Sequence, residues 1–167
     1  MNSGKSPGVA RAEFRAAMGS FAASVTIVGT LDAEGRPHGL TATAFTSVSL
    51  DPPLCLVCID NAARALAPLL ATRRFALSFL AADQEPSSRH FARDVDDKFA
   101  GHAWQPAPLT GCPSIEGALA SVECEVHAVH EGGDHTIVVG RVLATTTADA
   151  LPLVYFRGSY ADLVPRR

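Results

Sequence analysis

The sequence lacks an apolar run of the roughly 20 residues that a membrane helix needs, and its first eight residues contain no apolar signal core. It also lacks a stripe of basic side chains. With a formal net charge of −3 at pH 7 and both signs interspersed, the chain offers no basic surface for nucleic acid or anionic lipid. These absences predict a cytoplasmic protein that binds small molecules or other proteins, with no nucleic acid and no membrane.

The close spacing of ligands that marks a metal site is also missing. The six histidines form no His-Glu-x-x-His pattern. Cys55 and Cys58 have the two-residue gap of a zinc or thioredoxin pair, but they lie in an unbroken apolar stretch, residues 54–59, that predicts a buried strand. Because residues three apart on a strand face opposite sides, we expect no metal site. The four cysteines are predicted to be reduced thiols packed in the core.

Three familiar nucleotide and hydrolase motifs are absent. Ser3-Gly4-Lys5-Ser6 ends like a Walker loop, but the glycine that should open the loop has no room before Met1 and no strand precedes it. The chain has no Gly-x-Gly-x-x-Gly fingerprint and no Gly-x-Ser-x-Gly elbow. A P-loop triphosphate site, a Rossmann crevice and this class of hydrolase are therefore excluded.

The length of the chain predicts a single domain. A chain of 167 residues can bury roughly two-thirds of its unfolded surface in one domain, which we expect over residues 10–167. Residues 1–9 are rich in Gly, Ser and Pro and are predicted to form a flexible N-terminal segment. No internal repeat is visible, which argues against a solenoid or a coiled coil.

Hydrophobic periodicity predicts four helical segments. The first begins at Ala10, ends near Gly19, and is expected to form a lid over a sheet edge. The others are expected over residues 61–72, 87–91 and 94–99.

The remaining pattern predicts strands. The clearest alternation places Val122, Cys124 and Val126 inward, with the charged residues between them outward. A turn over residues 131–135 then leads to a partner strand. Strands are predicted over residues 24–31, 37–41, 54–59, 74–81, 121–128 and 136–147. Together these elements predict a mostly antiparallel β-barrel with a few helices.

Residues 39–59 carry the strongest hint of function. This run joins a ladder of small hydroxyl residues to a double-proline stop and an apolar strand. Small side chains leave room for a flat ligand, and hydroxyl groups and main-chain amides can hydrogen-bond around its rim. A solvent-facing strand rich in Thr and Ser explains the same residues, so the pattern alone leaves both interpretations open.

With Gly133-Asp134-His135 and the closing segment 155–160, this run resembles the flavin reductase-like family of FMN-binding split barrels. The resemblance extends from about Phe14 to Leu163. It implies a mostly β chain with a few helices, folded as an FMN-binding split β-barrel. It also implies an NAD(P)H:flavin oxidoreductase that uses NADH or NADPH to reduce FMN or FAD. The reduced flavin would pass to a separate flavin-dependent monooxygenase component. A homodimer, with groove walls shared between subunits, is implied as well.

The resemblance also assigns residues to the flavin. The family's Thr-Ala-x-x-Phe and Ser-Val-Ser segments carry over to Thr41, Ala42, Thr43, Ala44, Phe45, Ser47, Val48 and Ser49. The backbone amides of these residues would do much of the binding. Further cofactor contacts are implied for Ser78, Phe91, Tyr155 and Tyr160, and packing in the core is the alternative for each of the four.

Two places are candidates for binding the flavin phosphate. The segment 60–64 lies where a helix is predicted to begin, and helix N-termini present free amides to anions, so Asp60, Asn61 and Arg64 are cofactor-binding candidates. An Asn cap with a solvent-facing arginine is the alternative. Lys98, one of only two lysines, stands in a segment that resembles the family's Asp-Lys-Phe motif. A salt-bridged surface lysine is the simpler explanation there.

His135 is the predicted catalytic residue. The family's Gly-Asp-His motif lies beside the nicotinamide and the flavin, so the resemblance implies an imidazole that donates to one of them. Gly132 and Gly133 allow this turn to approach a ligand closely. A solvated turn histidine is the alternative.

Two other functions fit the sequence. One is a non-catalytic flavin-binding module for storage or sensing, and the other is a ligand-free interaction domain. Hydride transfer between cofactors asks little of protein side chains, so the absence of a catalytic triad does not separate these functions from the reductase.

Overall fold

The structure, a computed structural model, describes residues 8–166. Residues 1–7, part of the segment predicted to be flexible, lie outside this range. The helices are α1 (Arg11–Gly19), α2 (Leu66–Thr72) and α3 (Glu85–Phe91). The strands are β1 (Ala23–Ser24), β2 (Thr26–Leu31), β3 (Pro37–Ala42), β4 (Phe45–Leu50), β5 (Pro53–Asp60), β6 (Arg74–Phe79), β7 (Trp104–Pro106), β8 (Pro113–Ile115), β9 (Ala120–Gly132), β10 (His135–Thr147), β11 (Val154–Phe156) and β12 (Ser159–Ala161).

Seven strands form one curled antiparallel sheet in the order β3-β2-β6-β9-β10-β5-β4. The edge strands β3 and β4 are consecutive in the chain, and only Thr43 and Ala44 separate them. Two residues allow a span of at most about 11 Å between the strand ends, so the sheet must curl until its edges meet. Beside this seam the pairing of β4 with β5 continues by one residue, because the amide of Cys58 donates to the carbonyl oxygen of Ala44 at 2.9 Å.

The core lies on both faces of β2. Val28 packs inside the curled sheet with Val57 and Phe75, whereas Ile27 packs on the outer face against Phe91 of α3. Each fully buried side chain of this size contributes about 1.5–3 kcal/mol. This double burial explains why β2 is apolar without alternation, and it fixes α3 beside β3.

A glycine in the middle of β10 makes room for the core. A Cβ at Gly140 would lie 2.4 Å from Cζ of the Phe75 ring. Cys55 on β5 and Cys124 on β9 meet across the same strand, with their sulfur atoms 3.6 Å apart. All four cysteines are free thiols, and Cys55 is buried while Cys58 is half-buried on the other face of β5. The prediction that Cys55 and Cys58 face opposite sides is confirmed.

The predicted ends of the first helix are confirmed, but its role as a lid is wrong for this chain. No side chain of α1 is buried, and Phe14 remains 58% exposed. Its C-terminal end is fastened, because the carbonyl oxygen of Gly19 accepts a 2.8 Å hydrogen bond from the amide of Arg157. None of the helices within residues 8–166 is long and apolar enough to cross a membrane.

Two other helix predictions need correction. Helix α2 begins at Leu66 rather than near residue 61, because the Asp60 carboxylate accepts the amide of Ala62 at 2.8 Å and forms a separate turn. Residues 94–99 form no helix. The Asp97 carboxylate takes the amides of the two following positions, 99 and 100, at 3.1 and 3.0 Å, and such local bonds compete with helix formation.

The outward side of β9 also differs from the prediction. Glu123 was expected to face solvent but is only 5% exposed. Its Oε2 atom accepts hydrogen bonds from the amides of Leu109 and Thr110, at 2.8 and 2.7 Å, and from the Thr110 hydroxyl at 3.0 Å. The carboxylate is therefore buried by a loop that it holds in place.

Candidate functional site

A groove of about 560 Å³ opens at the seam of the sheet. Residues 39–44 line one side, and the turn 62–65 with the segment 91–94 lines the other. Lys98 and His135 also face the groove. Its volume lies in the range of small-molecule sites. Residues 39–44 form its floor, and their small side chains leave space for a planar ligand.

The groove gathers about half of the residues predicted from the sequence. Those that line it are Thr41, Ala42, Thr43, Ala44, Asp60, Arg64, Phe91, Lys98 and His135. Those that do not line it are Phe45, Ser47, Val48, Ser49, Asn61, Ser78, Tyr155 and Tyr160. The second group divides among the edge strand β4, the turn after β5, the core and a neighbouring cavity.

The β4 residues lie along an open sheet edge. Ser47 and Val48 are exposed, and Ser49 is half-buried beyond a bulge. Phe45 packs against Phe79, with ring centroids 4.9 Å apart. An edge strand presents unpaired backbone groups on one side, so β4 offers hydrogen-bonding atoms next to the seam.

Ser78 and Phe91 are core residues in the structure. Ser78 is buried, and its hydroxyl accepts the amide of Ile115 at 3.0 Å. The Phe91 side chain is fully buried against Phe99, with ring centroids 4.8 Å apart. Phe91 reaches the groove at its edge, whereas Ser78 does not reach it.

The predicted phosphate residues are already engaged with protein groups. Asn61 donates to the carbonyl oxygen of Gly133 at 3.3 Å and accepts the Thr136 hydroxyl at 2.8 Å. It therefore fastens the turn to the β9–β10 hairpin rather than capping α2. Arg64 lies 2.8 Å from Asp94 and 2.7 Å from Asp96, and these carboxylates raise the pKa of its guanidinium.

Lys98 holds the loop that borders the groove. Its ammonium donates to the carbonyl oxygen of Phe91 at 2.9 Å. Partial burial lowers the pKa of this lysine, partly opposed by the charge of Asp94. The side chain is thus half-buried rather than a free surface cation, and it keeps donors in the groove.

His135 stands at the start of β10, after a turn that Gly133 forms with φ +75°. Its Nδ1 atom lies 2.8 Å from a carboxylate oxygen of Asp134, and this contact lowers the pKa of Asp134. A carboxylate only accepts hydrogen bonds, so Nδ1 carries the proton. Nε2 is then an acceptor in the neutral ring and donates only when the ring is protonated.

The two C-terminal tyrosines belong to a second cavity of about 520 Å³. The rings of Tyr155 and Tyr160 meet edge-on with centroids 5.3 Å apart. The hydroxyl groups of Tyr160 and Ser88 lie 2.8 Å apart. This cavity adjoins the groove, because Ala92 and Arg93 line both.

Cys58 and Arg93 are among the groove residues that sequence reasoning missed. Cys58 stands three residues after Cys55 on β5 and therefore faces the opposite side of the strand, which is a usable signal. No sequence signal marks Arg93, since it stands in an irregular loop. Among residues 8–166, no group of three or more His, Cys, Asp or Glu side chains is arranged to hold a metal ion.

Comparisons with known proteins identify the fold. Residues 18–163 match the model of the flavin reductase like domain. The NADH-dependent flavin reductase of Rhodococcus sp is 44% identical over 94% of this chain and 89% of its own. Reductase subunit HsaB of a flavin-dependent monooxygenase from Mycobacterium tuberculosis is 36% identical over 92% of this chain and 83% of its own.

Two relatives from Rhizobium meliloti are longer. The chain spans 63% of the stachydrine N-demethylase reductase subunit Stc3, at 44% identity, and 47% of a probable flavin reductase, at 43% identity. Among solved structures, the NADH:FAD oxidoreductase SgcE6 of Streptomyces globisporus C-1027, in complex with NAD and FAD fragments, gives a TM-score of 0.88 at 38% identity. The match covers 93% of each chain. The predicted mostly β split-barrel fold is confirmed, and the chain belongs to the family of the flavin reductase like domain.

Proposed function

We propose that the protein is an NAD(P)H-dependent flavin reductase, which passes a hydride from a reduced nicotinamide to FMN or FAD. The observation that carries this proposal is the groove at the seam of the sheet. Its floor, residues 39–44, is lined with small side chains, and His135 stands at its border. A bound flavin would supply the redox chemistry itself, as cofactors do in hydride transfer.

The residues of the groove fit such a ligand. The hydroxyl of Thr43 is exposed and has no hydrogen-bond partner within residues 8–166, so it is free to bond to a ring edge. The lining includes three cationic side chains, Arg64, Arg93 and Lys98, and two acidic ones, at positions 60 and 94. The positive excess suits a phosphate group.

His135 is the proposed catalytic residue. Asp134 fixes its tautomer and leaves Nε2 without a protein partner within the described residues. From the rim of the groove, a protonated Nε2 would donate to the nicotinamide amide or to the flavin. The side chain thus orients the two rings rather than taking part in bond breaking.

NADH oxidation tests the proposal. The purified protein is mixed with NADH or NADPH and with FMN, FAD or no flavin, and the loss of reduced nicotinamide is followed. We expect rapid oxidation that depends on added flavin, with NADH preferred as in the relatives named for NADH. Flavin binding without oxidation would instead indicate a storage or sensing module.

We also propose that the protein serves as the reductase component of a two-component monooxygenase, as the name of the HsaB relative describes for that protein.

A homodimer is proposed because α1 exposes Phe14 and Met18, and the following Phe21 is 74% exposed. Multi-angle light scattering tests the dimer. A single domain over residues 10–167 and a cytoplasmic location stay predictions.

A further inference from the structure

Arg93 occupies the junction of two cavities. It follows α3 in an irregular loop, and it lines both the groove and the cavity of Tyr155 and Tyr160. The two cavities, of about 560 and 520 Å³, share Ala92 as their other common residue. A ligand that fills both must therefore pass the guanidinium of Arg93.

Arg93 differs from the other arginines of this surface in having no acidic partner. Arg64 is paired with two aspartates, and Arg89 is paired with Glu85 at 2.6 Å. In the part of the chain that the structure describes, the Arg93 side chain forms no ion pair and no hydrogen bond. Its five donors remain available to an anion, which a guanidinium binds in bidentate fashion.

The second cavity has the chemistry of a nucleoside site. The guanidinium of Arg89 covers the ring of Tyr160 at 4.8 Å from its centroid, whereas Tyr155 is 36% exposed. An exposed aromatic ring offers a stacking surface to a base. The Glu85 carboxylate and the Ser159 hydroxyl at the border supply polar groups suited to a ribose.

We propose that Arg93 binds the diphosphate of a dinucleotide and that the Tyr155–Tyr160 cavity binds its adenosine. The inference deepens the proposed reductase function and rests on it. One planar group occupies the groove, the second occupies the neighbouring cavity, and the charged linker crosses Arg93. The adenosine diphosphate half is common to FAD and NADH. Each has a shorter counterpart, FMN and reduced nicotinamide mononucleotide, that lacks the AMP group and keeps one phosphate.

The experiment compares each dinucleotide with its shorter counterpart. Dissociation constants for FAD and FMN are measured by flavin fluorescence, and KM values are measured for NADH and reduced nicotinamide mononucleotide. The variants are Arg93→Gln and Arg93→Lys. Arg74→Gln is the matched control, because Arg74 is exposed, forms no ion pair in the described chain and lines neither cavity.

Loss of a charge-assisted contact of this kind weakens binding by about tenfold. If Arg93→Gln binds FAD tenfold more weakly and binds FMN with an unchanged dissociation constant, the site belongs to the flavin. A tenfold higher KM for NADH with an unchanged value for the mononucleotide assigns it to the nicotinamide nucleotide. Either result supports the proposal. We expect Arg93→Lys to lose less affinity for the dinucleotide than Arg93→Gln does. Equal effects on the long and short ligands, or no effect, would overturn it.

Binding of ADP separates this inference from the reductase function. ADP carries no redox group, so its NMR titration reports the second cavity whether or not the protein oxidises NADH. We expect ADP to bind the natural protein and Arg74→Gln alike, and to bind Arg93→Gln and Tyr155→Leu more weakly. An ADP affinity that neither substitution changes would contradict the proposal, even if the protein is an active reductase.

Discussion

The hydroxyl of Thr41 donates a 2.7 Å hydrogen bond to the carbonyl oxygen of Ser88. The two residues stand on β3 and α3, 47 positions apart in the chain. Their bond fastens the helix that precedes the Arg93 loop to the floor of the groove. Thr41 is therefore engaged in holding the groove together, whereas Thr43 keeps its hydroxyl free for a ligand.

This difference predicts opposite effects for two matched substitutions. Thr41→Val removes the bond to Ser88 and should lower the free energy of unfolding by about 1 kcal/mol. Thr43→Val should leave stability unchanged and weaken flavin binding severalfold. Urea unfolding and flavin fluorescence titration measure the two quantities. The assignment fails if Thr41→Val weakens flavin binding without any loss of stability.

Local patterns predicted the strands because alternation and turn residues are properties of neighbouring positions. They failed where a side-chain carboxylate binds backbone amides. Residues 94–99 were predicted as helix, but the Asp97 side chain takes the amides that a helix would need. Glu123 was predicted to be exposed, but a loop from elsewhere in the chain covers it. The importance of Arg93 emerges only from the pairing of the other arginines, which sequence spacing does not reveal.

Glu123 provides the second prediction. Glu123→Ala leaves three donors near Leu109 and Thr110 without their acceptor and should lower the free energy of unfolding by roughly 3 kcal/mol. Glu123→Gln retains one oxygen and should cost less. Glu125→Gln is the control on the same strand, because its pair with Arg141 is exposed and is worth below about 1 kcal/mol. Equal losses for positions 123 and 125 in chemical denaturation would refute the buried role.

Gly140 should tolerate no side chain while Phe75 is present. Gly140→Ala places a Cβ 2.4 Å from the Phe75 ring and should destabilise the protein by about 1–3 kcal/mol through overpacking. Phe75→Leu removes the atoms in conflict. The double variant should therefore lose less stability than the sum of the single variants. Strict additivity of the unfolding free energies would show that the two residues do not compete for this space.

Thiol labelling reports the groove directly. Cys58 is half-buried at the groove wall. Burial raises the pKa of the Cys112 thiol, and contact with Cys55 together with burial raises that of Cys124. Contact with Cys124 lowers the pKa of Cys55, but Cys55 is buried. Because labelling needs an accessible thiolate, iodoacetamide at neutral pH should label Cys58 first.

Peptide mass spectrometry measures this order, and saturating flavin should slow the labelling of Cys58. Cys58→Ser should remove the rapidly labelled peptide and no other. Faster labelling of Cys112 or Cys124 would contradict the predicted order of accessibility. A rate at Cys58 that flavin leaves unchanged would place the ligand elsewhere.

The contact between Asp134 and His135 gives a prediction that depends on pH. Its hydrogen bond lowers the pKa of the Asp134 carboxyl from its ordinary value of 3.8. A lowered pKa means that the folded chain favours the carboxylate. The resulting stability is complete above pH 3.8 and is lost as the pH falls through the lowered pKa.

Replacing His135 tests both the electrostatics and the proposed function. His135→Ala should return the pKa of Asp134 towards 3.8 in a carboxyl NMR titration. Asp32 serves as an internal control, because its lowered pKa is due to His38 and Arg36 and should not change. The same variant should lose about tenfold in kcat/KM for NADH, as expected for one hydrogen bond to a charged group, while flavin affinity changes little. Asp134→Asn should lose less of kcat/KM for NADH, because it keeps the imidazole and removes only the charge that orients it. If turnover survives His135→Ala while Asp134 titrates at its ordinary value, the histidine serves only to organise the turn.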